Sequence, residues 1–244
     1  MTSKKINKLQ TALASEDLDV LAIVPGSNFL YLTGGNFHLM ERPTILLISK
    51  NYKPIAILPV LEVDSFNKLN LDAEIFEWQD SDGYQHAFDK AFEKIGSVTK
   101  IGIEGQRMRV FESQAIEKAA KGIEIINAHK FINKIRLNKD EGEINNLQKA
   151  VDIAETTLKQ TIQYVEEGKT EIEIKNFLIQ QLYNFGAEGI PFDPIVLASD
   201  NSALPHGHSR KDYKIQGGDC LLFDFGATVN GYHSDITRTF FVKS

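Results

Sequence analysis

The 244-residue sequence contains a single cysteine, Cys220, and a single tryptophan. One thiol excludes an internal disulfide and any zinc site built from several thiolates, and it fits a reducing compartment. No apolar run approaches the roughly 20 residues that a bilayer-spanning helix needs. The N-terminal segment is interrupted by Glu16, Asp17 and Asp19 before the short apolar run at 20–24, so neither an anchor nor a cleavable leader is expected. A cytoplasmic protein is the expectation. Positive charge is not in excess: 27 Lys and Arg against 33 Asp and Glu give a net charge of −6. That balance leaves no broad cationic surface for a nucleic-acid backbone. Low-complexity tracts and short repeats are lacking too. What remains is ordinary globular composition, 42% apolar and 25% charged, sized for one large domain or two ordinary ones.

Through about residue 127 the pattern alternates between strand and helix. Ile6, Leu9 and Leu13 have helical spacing, and residues 19–24 read as a buried strand. Residues 28–35 end in a glycine pair that suits a tight turn. Further strands are expected at 43–49, 53–59, 73–78, 100–105 and 123–128, with helices near 63–69, 87–95 and 112–120. Strands separated by helices of this length imply a layered α/β domain. Gly102 and Gly105 lack dinucleotide-binding spacing, and no phosphate loop is visible.

The character changes near residue 133, and the seam is placed between an α/β domain at 1–130 and a second domain at 131–244. Asp140-x-x-Glu143 and Thr170-x-x-Glu173 are capping-box signatures. Ile144, Leu147, Val151, Ala154, Leu158, Ile162 and Val165 form an apolar stripe behind the first. Ile174, Phe177, Leu178, Leu182 and Phe185 follow the second. Two long amphipathic helices are therefore expected, then a strand at 194–199, a polar loop at 200–207 and a β-hairpin.

Asn230-Gly231 is a favoured two-residue hairpin turn. It places Val229 opposite Tyr232 and, in the same register, Asp224 opposite Thr237. Asp235 then shares the face of Asp224, and Gly226 faces Asp235 with room beside it. Asp224 lies between Phe223 and Phe225 in a strand that reads as buried. Two like charges converging there repel by on the order of several kcal/mol unless a cation or a shared proton intervenes. A divalent metal and a shared-proton acid/base pair both answer that repulsion; a solvated carboxylate pair is the ordinary alternative. His206 and His208 lie in the loop after Pro205, which restricts its own backbone and that of Leu204. A histidine held there can donate to an oxyanion or shuttle a proton, whereas two exposed loop histidines need no role. His233 falls on the face of Asp235, as a supporting or packing group. Cys220, in an apolar strand, reads as an inert thiol.

The run N-S-A-L-P-H-G at 201–207, G-G-D at 217–219, D-F-G-A at 224–227, G-Y at 231–232 and S-D-I-T-R-T at 234–239 resembles the pita-bread metallopeptidases. Within them it is similar to the Xaa-Pro dipeptidase (prolidase) and aminopeptidase P branch. Arg136, Lys139, Glu143 and Ile144, with Y-L-T-G-G at 31–35, extend the resemblance over the whole chain. It implies an α/β N-terminal domain of the creatinase/prolidase type, then an α+β pita-bread catalytic domain of which only the first half is present.

The resemblance implies that Asp224 chelates one metal of a dinuclear site and that Asp235 bridges both. It places His206 against the substrate, stabilising charge at the scissile carbonyl, with Thr237 supporting the bridging carboxylate. Arg238 matches the motif without an assigned role. Two divalent ions are implied, Mn²⁺ first and Co²⁺ or Zn²⁺ as alternatives, with a bridging hydroxide as nucleophile. The implied substrates are Xaa-Pro dipeptides or short proline-containing peptides, limited in length by the N-terminal domain, and the implied assembly is a homodimer. The family's three further metal ligands, a histidine and two glutamates, have no counterpart, because no His or Glu follows Asp235. Weak metal binding, an exposed apolar patch and an inactive lone chain are therefore expected. Alternatives are aminopeptidase P-type release of the first residue from Xaa-Pro-Yaa, a non-catalytic binding module, and metal-free chemistry on the same scaffold. Keeping Asp224, Asp235 and His206 together argues against the last two.

Overall fold

The structure, a computed structural model, describes residues 2–243. The chain divides after Asn138 into two compact units. Among the described residues no helix is long and apolar enough to cross a membrane.

The first unit runs α1 (Thr2–Ser15), β1 (Val20–Ile23), α2 (Ser27–Thr33), β2 (Ile45–Ser49), β3 (Ile55–Pro59) and α3 (Val60–Asn67). It continues through β4 (Glu74–Trp78), α4 (Gln85–Ile95), β5 (Lys100–Ile103), α5 (Val110–Ala119), β6 (Glu124–Asn127) and α6 (His129–Lys134). The six strands form one mixed sheet, ordered β4-β3-β2-β1-β5-β6. β1 pairs antiparallel with β2 and parallel with β5. Its central strands are unbroken apolar runs because both faces are covered. Leu21, Ile23, Leu46 and Ile48 join Leu9 and Phe29 in one core, while Val20, Ala22, Ile45 and Leu47 meet Phe88 and Phe92 in the other. The two-residue period of a strand sends neighbours to opposite faces. Residues 28–33 are helical: Phe29 and Leu32 are buried, and Gly34, at φ 78°, ends α2 with a left-handed C-cap. α6 adds Phe131 and Ile132 to the first core.

Asp19 ties β1 to β5. Its carboxylate accepts from the Thr99 backbone N–H at 2.9 Å, the Thr99 hydroxyl at 2.8 Å and the Lys100 N–H at 3.1 Å. The Thr99 backbone donor, with these others, holds the carboxyl down from 3.8 to about 2. The folded value lies below the unfolded one, so this stabilisation is complete above about pH 4 and is lost as pH falls through about 2. Asp19→Asn should therefore flatten the decline in melting temperature between those two values. Parallel declines in the native chain and the variant would refute the assignment.

The second unit contains α7 (Glu141–Tyr164), α8 (Glu171–Asn184), β7 (Ile195–Ala198), β8 (Cys220–Phe225), β9 (Thr228–Val229), β10 (Tyr232–His233) and β11 (Ile236–Phe241). Both helices begin with the expected capping boxes. Glu143 N–H donates to Asp140 at 2.9 Å and Asp140 N–H to Glu143 at 2.9 Å. Thr170 N–H donates to Glu173 at 2.7 Å, and Glu173 N–H donates to Thr170 Oγ1 at 3.3 Å. β11, β8 and β7 form an antiparallel sheet in that order, and its Val196, Phe223 and Phe225 pack with Leu158, Leu178 and Leu182.

The buried face of α7 is rotated from the expected stripe. It runs through Glu143, Ala150, Ala154, Thr157, Leu158 and Thr161, and Ile144 stays 54% exposed. The physical reason is close approach: Ser234 in the hairpin donates its hydroxyl to the Ala150 carbonyl at 2.9 Å, and bulky side chains on that face would hold the two apart. The expected exposed apolar surface is found beside β11, where Ile162, Phe240 and the 75% exposed Phe241 border a groove of about 410 Å³.

Candidate metal centre

The hairpin register builds the site. Asn230 and Gly231 both take left-handed backbone, at φ 49° and 75°, as a type I′ turn requires. Val229 pairs with Tyr232 and Thr228 with His233; further out, Phe225 pairs with Ile236 and Asp224 with Thr237. The register read from the turn therefore holds along both ladders.

Between the two ladders the backbone departs from regular pairing. Ala227 N–H donates to Ser234 Oγ at 2.9 Å, and Ser234 N–H donates to the Ala227 carbonyl at 2.9 Å. The room expected beside Gly226 does not exist. A methyl group there would lie 1.9 Å from the Ser234 carbonyl oxygen and 2.8 Å from Pro191 Cγ. Glycine is required because the opposite backbone passes close by.

Asp224 is half-buried between fully buried Phe223 and Phe225. Its Oδ1 is sealed from solvent and has no hydrogen-bond partner. An unpartnered buried acceptor costs about 1–3 kcal/mol, more when charged, and such groups mark functional or ion sites. Asp235 is exposed and immediately precedes β11, outside the regular ladder. Thr237 and His233 are exposed as well. His233 Nδ1 lies 2.9 Å from Thr228 Oγ1 across its own ladder. Arg238 donates to the Thr237 carbonyl at 2.8 Å.

His206 sits exposed in the loop that follows a 3₁₀ turn at Ser199–Ala203. Three residues that sequence reasoning missed hold this loop: Glu171, Asn201 and Arg210. Glu171 had no local signal, because an acidic residue in a helix's first turn is ordinary on dipole grounds alone. Among the described residues no three His, Cys, Asp or Glu side chains converge on one point. On the hairpin, the carboxylates read from the sequence are Asp224, half-buried, and Asp235, exposed. Hard carboxylate oxygens, one of them buried without a partner, fit a divalent ion.

The creatinase/prolidase N-terminal domain family matches residues 5–138, and metallopeptidase family M24 matches residues 145–244. The chain belongs to the pita-bread M24 metallopeptidases, with a creatinase-type domain followed by half of a pita-bread domain. An uncharacterized peptidase of Staphylococcus epidermidis is 29% identical over 235 residues, which are 96% of this chain and 65% of the relative. The prolidase of Thermococcus sibiricus matches at 30% identity and a TM-score of 0.91, over 100% of this chain and 66% of that one. An Xaa-Pro dipeptidase from Bacillus anthracis matches at 28% identity and a TM-score of 0.86, again over 100% and 66%. The chain spans about 65% of the length of the curated relatives it matches.

Proposed function

We propose that this protein hydrolyses the peptide bond before proline in Xaa-Pro dipeptides, using two divalent metal ions, Mn²⁺ first among them. The observation that carries the reading is Asp224 Oδ1, buried and unpartnered in the D-F-G-A strand; the prolidase and Xaa-Pro dipeptidase similarities point the same way. Asp224 and Asp235 would hold the ions, with Thr237 and His233 flanking Asp235 on the hairpin. When bound, the ions supply an activated water and polarise the scissile carbonyl. His206 then donates a hydrogen bond to the carbonyl oxygen as it gains charge. It contributes only as far as it is aligned with that developing charge before reaction. A hard divalent ion takes six or more oxygens, so the two aspartates alone hold it weakly. The reading places the protein in the cytoplasm as a homodimer.

The test is release of the N-terminal residue from Xaa-Pro and Xaa-Pro-Yaa substrates by the Mn²⁺-loaded protein as the cell produces it. Release from the dipeptide, with His206→Ala lowering kcat by about 10²–10³ and moving KM far less, is the expected outcome. Full activity after exhaustive chelation would refute the reading, and preference for the longer substrate would replace it with the aminopeptidase one.

A further inference from the structure

Glu171 carries a negative charge with no exposed surface, and its partners all belong to the segment that bears His206. Oε1 accepts from the Ala198 N–H at 2.6 Å and from Arg210 Nη2 at 3.0 Å. Oε2 accepts from Asn201 Nδ2 at 2.9 Å and from the Arg210 N–H at 2.6 Å. One carboxylate therefore grips a loop at its start, inside it and at its end. Arg210 closes the grip by donating Nη2 to the Ala198 carbonyl at 2.8 Å, and Asn201 Nδ2 also donates to the His208 carbonyl at 3.0 Å. Gly207, next to His206, fits only because it has no side chain: a methyl there would meet Leu197 Cδ1 at 2.8 Å and Asn201 Oδ1 at 3.2 Å. The carboxylate sits in the first turn of α8, where the helix dipole favours its charge. Charge-assisted bonds in a buried site are strong and directional, so the loop is ordered before any substrate arrives.

We propose that Glu171, through Asn201 and Arg210, is a positioning clasp that fixes the loop of His206 for its role at the scissile carbonyl. The proposal rests on the reading of His206 given above. Glu171 has no exposed surface to offer a substrate; it acts by limiting where the imidazole can go, and small misplacements of such a group are expensive in rate.

Asn201→Ala removes one arm and leaves the Glu171–Arg210 pair intact, so it spares the fold better than Glu171→Gln. In the protein as the cell produces it, Asn201→Ala should lower kcat about tenfold while KM and Mn²⁺ affinity stay within about twofold. The NMR signal of the His206 ring should sharpen to that of a mobile side chain. In a His206→Ala background Asn201→Ala should lower kcat no further, because residues acting as one unit are not additive. Equal losses in both backgrounds, or an unchanged His206 signal, would overturn the clasp. Native turnover by His206→Ala would overturn the reading of the site together with the proposal. That result is distinct from failure of the clasp alone, in which His206→Ala slows turnover and Asn201→Ala does not.

Discussion

Asp224→Asn is expected to raise the melting temperature of the metal-free chain and, in the same variant, to weaken Mn²⁺ binding by at least about a hundredfold. Both effects have one cause. In the native chain Oδ1 is buried without a hydrogen-bond partner, so this oxygen is not compensated for the water it has lost. The amide has nearly the same shape and no charge, and it removes on the order of 1 kcal/mol of that penalty. For a chain of this size that corresponds to roughly 2–4 °C. The same change removes the anionic oxygen on which a hard cation depends. Melting in chelator and in excess Mn²⁺ checks both halves: the native chain should gain stability from the metal by mass action, and the variant should not. A lower melting temperature for Asp224→Asn in chelator would mean that the carboxylate has a stabilising partner, and the assignment would fall. A functional site held at the expense of stability is a familiar trade.

Gly226→Ala should cost about 2–3 kcal/mol. The obstructing atom is the Ser234 backbone oxygen, 1.9 Å from where the methyl would sit, and a backbone carbonyl cannot rotate aside as a side chain does. Ser234 is anchored in turn to Ala227 and to the Ala150 carbonyl of α7. Relief therefore requires the segments bearing Asp224 and Asp235 to separate, so metal affinity should fall with stability. Gly189→Ala is the matched control, since its methyl would meet nothing nearer than the Thr228 side chain at 4.0 Å. That variant should stay within about 0.5 kcal/mol of the native chain. Denaturant melts of the two variants decide the matter; similar midpoints would show that the hairpin yields at Gly226 and that its close crossing does not matter.

Local chemistry was enough for much of this protein. Asn230-Gly231 specified the turn and, through it, the pairing of Asp224 with Thr237. Asp140 with Glu143 and Thr170 with Glu173 marked both helix starts, because each signal involves residues at most a few positions apart. The buried strands of the first unit were legible for the same reason, as short apolar runs need no distant partner to be recognised. What depends on remote partners was not legible. Glu171 receives donors from Ala198 and Arg210, 27 and 39 positions away. Burial of the Ala150 and Ala154 face of α7, rather than of Ile144, follows from a hairpin 84 positions further on. The space beside Gly226 was filled by a carbonyl of the opposite strand. Spacing and turn chemistry record which face a residue can take; which neighbour then occupies that face, and whether a charged atom there finds a partner, is decided only when distant segments pack together.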